Sequence, residues 1–263
     1  MYEAVVAHPE GDATVSRFAL TAREYGYDGI VVRNAPDVDS PVDAGDVADE
    51  TNVDVVRGVE IDADDPDAAS GYLGTYRSEC TILSVRGGTE ALNRFAIEQS
   101  RVDVLARPMA GDGDLDHVLV RRAAENGVRL EFDLGRVMDA TGGTRVRAIQ
   151  QLAKLRDLVD DADAPFVVSG TPRSHLELRA PRELRAVGSV VGLGEDLIEE
   201  GLAEWGRLAE RNRRRTDDRF VEPGVTVVRS TDRRCEDGAQ AEAVDPTSHD
   251  GEPAGCSEGG DRS

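Results

Sequence analysis

Short β-rich runs alternate regularly with amphipathic stretches, and this alternation governs what the chain can fold into. Candidate strands lie at Tyr2–His8, Gly29–Arg33, Val53–Ile61, Cys80–Val85, Val102–Ala106, Val128–Asp133, Pro165–Ser169 and Val187–Leu193. The stretches between them, such as TVSRFALTAREYG, TEALNRFAIEQS and GTRVRAIQQLAKLRDLVDDA, carry apolar residues at helical spacing. In LDHVLVRRAAENG, Leu115, Val118, Leu119 and Arg122 follow the 3.6-residue period, and Gly127 is placed to end the helix. About one strand–helix unit every 26 residues points to an α/β fold with parallel strands, an irregular TIM-like (β/α) barrel. A doubly wound sheet is the main rival, but the Gly-rich turn it needs after its first strand is absent. The patterning weakens at Pro41–Glu50 and Pro66–Arg77, so irregularity is expected there.

The alternation stops near residue 230. Residues 231–263 lack apolar periodicity and hold three arginines against nine acids. Such a segment cannot bury enough apolar surface to offset its ordering entropy. The expectation is a barrel domain over 1–230 and a disordered acidic tail over 231–263. The whole chain carries 52 acids against 31 basic residues, a net charge of -21, and Lys154 is its only lysine. Acid excess with almost no lysine fits a halophilic protein working in molar salt, where the Debye length is roughly 3 Å and carboxylate repulsion is screened. There, net charge excludes a nucleic-acid partner only weakly. No apolar run reaches the ~18 residues of a membrane span. The N-terminus lacks the basic and apolar regions of a signal peptide. Three cysteines without a CxxC pair suit a reducing cytoplasm.

In barrels of this kind the chemistry sits at the C-terminal ends of the strands. His8, Glu60 and Asp62 could hold one divalent ion there, but the rim has few metal ligands. A PHP-class phosphoesterase builds its metal cluster on a His-x-His pair after the first strand, and here that stretch is Val6-Ala7-His8. Ser169, His175 and Asp133 form a triad on paper only. There is no nucleophile elbow or P-loop, and Cys80 lies in an apolar run. No catalytic and no metal-binding residue is therefore assigned. Arginines are more informative. Arg86 precedes Gly87-Gly88, where missing side chains admit a phosphate or a partner backbone. Arg94, Arg107, Arg173, His175, Arg179 and Arg182 follow, and Arg211, Arg213, Arg214 and Arg215 cluster near the end of the body. Arginine forks engage phosphate bidentately. Aromatics are 4% of the chain and none interleaves with these arginines, so any RNA contact would be to backbone and shape.

The segments GGTEALNRFAIEQSRVDVLARP, DLDHVLVRRAAENGVRLEF and PFVVSGTPRSHLELRAPRELRAVGSVVGL resemble, in that order and spacing, the archaeal ribonuclease P protein component 3 family. The resemblance runs from Tyr2 to Arg215 and is most specific in Gly87-Gly88, Asn93-Arg94, Val102-Asp103, Pro108 and Asp116-His117-Val118-Leu119. It implies an irregular barrel related to PHP phosphoesterases but without their metal cluster. It also implies a ribonucleoprotein subunit that works with the RNase P RNA and other RNase P protein subunits on precursor tRNA. The RNA would carry the magnesium and the catalysis, and the chain itself would bind no cofactor. On this resemblance Asn93 and Arg94 fix the helix after the fourth strand against Gly88, Asp116 is partly structural, and His117, if buried, is a packing residue. The runner-up is a stand-alone metal-dependent PHP-like phosphoesterase. The body is more acidic than a typical RNA-binding subunit, and the tail has no counterpart in the family.

Overall fold

The computed structural model describes residues 1–38, 44–216, 220–222 and 225–226. The chain divides into a unit over Met1–Asp217 and a second unit over Asp218–Ser263. In the second, a short antiparallel pair, β8 (Phe220–Glu222) and β9 (Val225–Thr226), is described. The expected tail, 231–263, lies outside the described residues.

In the first unit seven strands form one all-parallel sheet in sequential order. They are β1 (Tyr2–Val5), β2 (Gly29–Asn34), β3 (Asp54–Ile61), β4 (Ile82–Arg86), β5 (Val104–Ala106), β6 (Arg129–Asp133) and β7 (Phe166–Ser169). The connecting helices are α1 (Val15–Tyr25), α2 (Ala44–Thr51), α3 (Pro66–Tyr76), α4 (Glu90–Glu98), α5 (His117–Asn126), α6 (Gly135–Asp139) and α7 (Gly142–Ala162), and α8 (Pro181–Val190) and α9 (Glu195–Thr216) follow β7. Local chemistry sets their ends. Thr14, Asp65, Thr89 and Asp116 accept backbone N–H bonds at the first turns of α1, α3, α4 and α5. Gly127 ends α5 at φ 68°, a left-handed conformation that glycine adopts without a Cβ penalty.

The expected eighth strand is absent. Val187–Val190 form the last turns of α8, which starts at Pro181 with the Glu183 carboxylate accepting the Ala180 N–H at 2.9 Å. Leu184 and Gly188 form its buried face, and the close approach of Ile198 leaves no room for a Cβ on Gly188. Packing at helical spacing overrides the β preference of three valines in this stretch. The barrel therefore has a seam between β1 and β7, bridged by a Val6 N–H bond to the Pro172 carbonyl at 3.0 Å and by side chains.

The outward faces of the strands pack against the helices as one continuous core. The inward faces form two layers. In the lower layer Ala4, Val31, Val56, Ile82, Val104 and Val167 surround Trp205, Leu208 and Ala209 of α9, which plugs the N-terminal end of the barrel. Trp205 Nε1 donates to the Val168 carbonyl at 2.9 Å. The upper layer, toward the C-terminal strand ends, is polar.

Candidate functional site

Arg33, at the end of β2, points into the barrel and is 1% exposed. Its guanidinium lies 5.8 Å above the Trp205 ring, so the plug supports it from below. Around it stand Glu131 at 2.7 Å, Glu60 at 3.3 Å and the Thr171 hydroxyl at 3.1 Å. Glu60 is also held by Arg86 Nε at 2.7 Å, and Arg86 continues outward to Asp62. Arg107 Nε lies 3.0 Å from Asp133, while its backbone N–H donates to Glu131 at 3.1 Å. Thr171 donates to Asp133 at 3.2 Å. Arg107 and Thr171, which flank Asp133, have φ of 50° and 48°. Such left-handed backbone costs on the order of 1 kcal/mol or more for a side-chain-bearing residue and persists where surrounding contacts over-determine it.

Three guanidiniums thus neutralise three buried carboxylates. Burial pushes the Glu60 carboxyl up, but Arg33, Arg86 and Arg107 more than offset this and hold it below its usual range. Glu131 goes the other way, since its burial and the nearby Asp133 and Glu60 outweigh Arg33. A cavity of only about 10 Å³ remains where Arg107, Glu131 and Asp133 meet Ala148, Leu152 and Leu155 of α7. Where a barrel enzyme would hold an ion or a substrate, this chain has placed its own cation. The Glu60–Asp62 pair considered for metal is committed to Arg86, and among the described residues no cluster of His, Cys, Asp or Glu is placed to hold a metal ion. The paper triad is not assembled either. Ser169 Oγ donates to Glu3 at 2.6 Å and accepts the Thr171 N–H, while Asp133 serves Thr171 and Arg107. Burial raises the Cys80 thiol to about 11, away from thiolate chemistry.

The arginines singled out in the sequence separate between the two ends of the barrel. Arg86 and Arg107 belong to the interior network. Gly87 and Gly88 admit backbone, but it is the chain's own: a Cβ on Gly87 would meet Asn93 Oδ1 at 2.2 Å and Pro108 Cα at 3.1 Å. Asn93 fixes this junction by donating to the Pro108 and Asp114 carbonyls and accepting the Gly88 N–H. Arg94 does not share that role; it is exposed and pairs with Glu90 one turn away. Arg173 reaches the Glu10 carbonyl and lines a cavity of about 440 Å³ with Arg107, Asp133, Arg136 and Thr171. His175 keeps a buried Nδ1 without a hydrogen-bond partner among the described residues. Arg179 donates to the Leu176 carbonyl at 3.0 Å, and Arg182 is exposed on α8. Asp116 is the N-cap of α5, with its carboxyl lowered by the Leu119 and Val118 N–H bonds, and His117 is exposed.

The other end carries the α9 cluster. Arg211 is bound to Asp103 at 3.0 Å, Arg213 grips Asp54 bidentately at 2.7 and 2.8 Å, and Arg214 pairs with Glu210. Arg215 is exposed. Sequence reading missed Arg33, because a lone arginine ending a β-rich run looks like a rim residue. The carboxylates that bury it come from strands distant in sequence.

The sequence model of the RNase P subunit p30 family matches residues 1–217. Ribonuclease P protein component 3 of Haloarcula marismortui is 55% identical over 232 residues, covering 88% of this chain and 99% of that protein. The Natronomonas pharaonis protein of the same name is 57% identical over 230 residues, covering 88% and 96%. These haloarchaeal relatives accord with the acidic, lysine-poor composition. A chain in the solved structure of an archaeal Ribonuclease P with mature tRNA has the same fold, with a TM-score of 0.74 over 87% of this chain and 98% of that one, at 20% identity. Since the family match spans the whole barrel and the curated relatives align along almost their entire length, the chain belongs to the RNase P subunit p30 family.

Proposed function

We propose that this chain is a non-catalytic protein subunit of ribonuclease P, the ribonucleoprotein that removes the 5′ leader from precursor tRNA. It supports the RNase P RNA and pairs with other protein subunits of the particle, while the magnesium ions of the reaction are held at the RNA. Arg33 carries this reading. With its guanidinium among Glu60, Glu131 and Thr171, and with Arg86 on Glu60 and Arg107 on Asp133, the interior carboxylates that could act as a base or a ligand set are committed to arginines. The same observation counts against a stand-alone phosphoesterase. Three cysteines without a CxxC pair suit a reducing compartment, and we place the particle in the cytoplasm; no helix among the described residues is long and apolar enough to cross a membrane.

The test is purification of the tagged full chain from its host in molar KCl, followed by a precursor-tRNA cleavage assay with magnesium before and after nuclease digestion of the bound RNA. Cleavage that copurifies with one dominant structured RNA and disappears on digestion is expected. Cleavage by the RNA-free chain would overturn the proposal.

A further inference from the structure

A second concave surface lies at the opposite end of the barrel from the mouth, below the N-terminal ends of β4 and β5 and beside the C-terminal end of α9. It is an open cavity of about 820 Å³ whose lining includes Arg57, Arg77, Arg101, Arg213 and Arg215. Among the described residues two carboxylates, Glu79 and Asp103, share the lining, so arginines outnumber acids there five to two in a chain of net charge -21.

Asp103, a buried residue of the family motif, organises its floor. One carboxylate oxygen accepts from Arg211 at 3.0 Å and from Asn212 at 2.9 Å; the other accepts from Arg77 and from the Leu83 N–H. Arg77 is fixed further by the carbonyls of Arg101, Cys80 and Thr81, and Arg213 by Asp54. Arg57, Arg101 and Arg215 differ from these. Arg57 is 61% exposed and only touches Glu79 at 4.0 Å, and Arg101 and Arg215 are exposed with no ion pair among the described residues. Burial, with the like charges of Arg129 and Arg215 added to it, lowers the Arg211 guanidinium in spite of Asp103. Three arginines are spent on building the wall, and three are left facing the opening.

We propose that this cavity is a phosphate-binding surface for the sugar–phosphate backbone of RNA, with Arg57, Arg101 and Arg215 as its contacting side chains. The inference rests on the reading of the chain as a ribonucleoprotein subunit. Besides Glu79, Asp103 and Cys80 the lining is arginine, serine, threonine and asparagine, with no aromatic and no branched aliphatic side chain. Protein–protein interfaces centre on apolar and aromatic anchors, whereas nucleic-acid interfaces are cationic and wet. Without an aromatic there is no stacking platform for a base, so the guanidiniums and hydroxyls recognise backbone. Arginine forks suit this task in molar salt, where long-range attraction is screened and directed bidentate bonds remain.

The test uses the full chain reassembled with the RNA that copurifies with it and with its protein partners. RNA affinity is measured against KCl concentration for wild type, for R57S/R101S/R215S and for R17S/R23S/R147S. The last variant removes three exposed arginines outside the cavity and so matches the change in net charge. Each lost phosphate contact lowers the slope of log K against log salt by about 0.7–0.9. The cavity variant is expected to lose a slope of about 2–3 and its RNA footprint, with an unchanged melting transition, while the control keeps the wild-type slope. Equal slopes in all three would refute the cavity as a phosphate site. So would a cavity variant that keeps its RNA affinity but loses a protein partner, which would make the surface a protein dock. If wild type itself neither binds RNA nor copurifies with cleavage, the subunit reading falls together with this one.

Discussion

The guanidinium of Arg33 and the carboxylate of Glu131 meet at 2.7 Å inside the barrel, with neither side chain exposed to solvent. A buried pair of this kind stabilises little relative to apolar packing, but removing one partner strands the other. Arg33→Met leaves Glu60, Glu131 and Asp133 with only Arg86 and Arg107 at the periphery. We expect a loss of about 3–5 kcal/mol in urea unfolding at pH 8 in molar KCl. In the variant the stranded carboxyls have folded-state pKa values above their unfolded values. The protonated form is then favoured in the fold, and the variant recovers stability as pH falls from 8 to 5. A wild-type-like denaturation midpoint at pH 8 would show that the network is not closed.

At the seam, Glu3 takes the place of a strand ladder. Its carboxylate accepts from Ser169 Oγ at 2.6 Å, from Gly170 N at 3.1 Å and from Ala4 N at 3.0 Å, joining β1 to β7. Burial raises its pKa to about 7 in spite of these bonds. A carboxyl raised on folding favours the fold fully below its unfolded pKa, near 4.5, and that contribution is lost as pH rises through the folded value. The loss over pH 4.5–7 amounts to about 3 kcal/mol. Glu3→Gln keeps an acceptor for the three donors without a titrating proton, so its stability should fall less across that window. Parallel pH profiles for variant and wild type would assign the dependence elsewhere.

Trp205 tests the lower layer. It is fully buried, fills the N-terminal end of the barrel against Ala4, Val31 and Val167, and lies beneath Arg33. Trp205→Ala should cost about 3–5 kcal/mol through cavity formation, and more if the Val168 carbonyl finds no other donor. Thermal unfolding of the full chain measures this. Trp205→Phe, which keeps the bulk but not the Nε1–H, should lie between the two.

Seven of the eight expected strands were legible, because a buried parallel strand reads as a continuous apolar run. Val187–Leu193 read the same way and is largely helix, since burial on one helix face imitates a short apolar run. The caps Asp116 and Gly127 were legible because their chemistry is local. What sequence could not convey is which arginines are spent. Arg86, Arg107 and Arg213 look as available as Arg57, Arg101 and Arg215, but Glu60, Asp133 and Asp54 reach the first three through strand register rather than sequence proximity. Arg57 and Arg101 also lack neighbouring arginines, so no cluster marked them.

Asn93 and Arg94 provide the sharpest contrast between neighbours. Asn93 is completely buried, and its amide donates to Pro108 O at 2.8 Å and Asp114 O at 3.1 Å while accepting from Gly88 N at 3.3 Å. Asn93→Ala leaves these groups unsatisfied around a small void, at a cost of roughly 2–4 kcal/mol. Asn93→Asp should be worse than alanine, because a carboxylate has no donor for two carbonyls and sets charge against them. Arg94 is exposed, and its bond to Glu90 is an i,i+4 surface pair, so Arg94→Ala should shift stability by less than about 0.5 kcal/mol. Denaturant unfolding together with amide exchange at Gly88 separates the two: exchange accelerates in Asn93→Ala and is unchanged in Arg94→Ala. If both variants proved equally mild, the loop over residues 107–114 would have to be held by Gly87 and Gly113 packing alone.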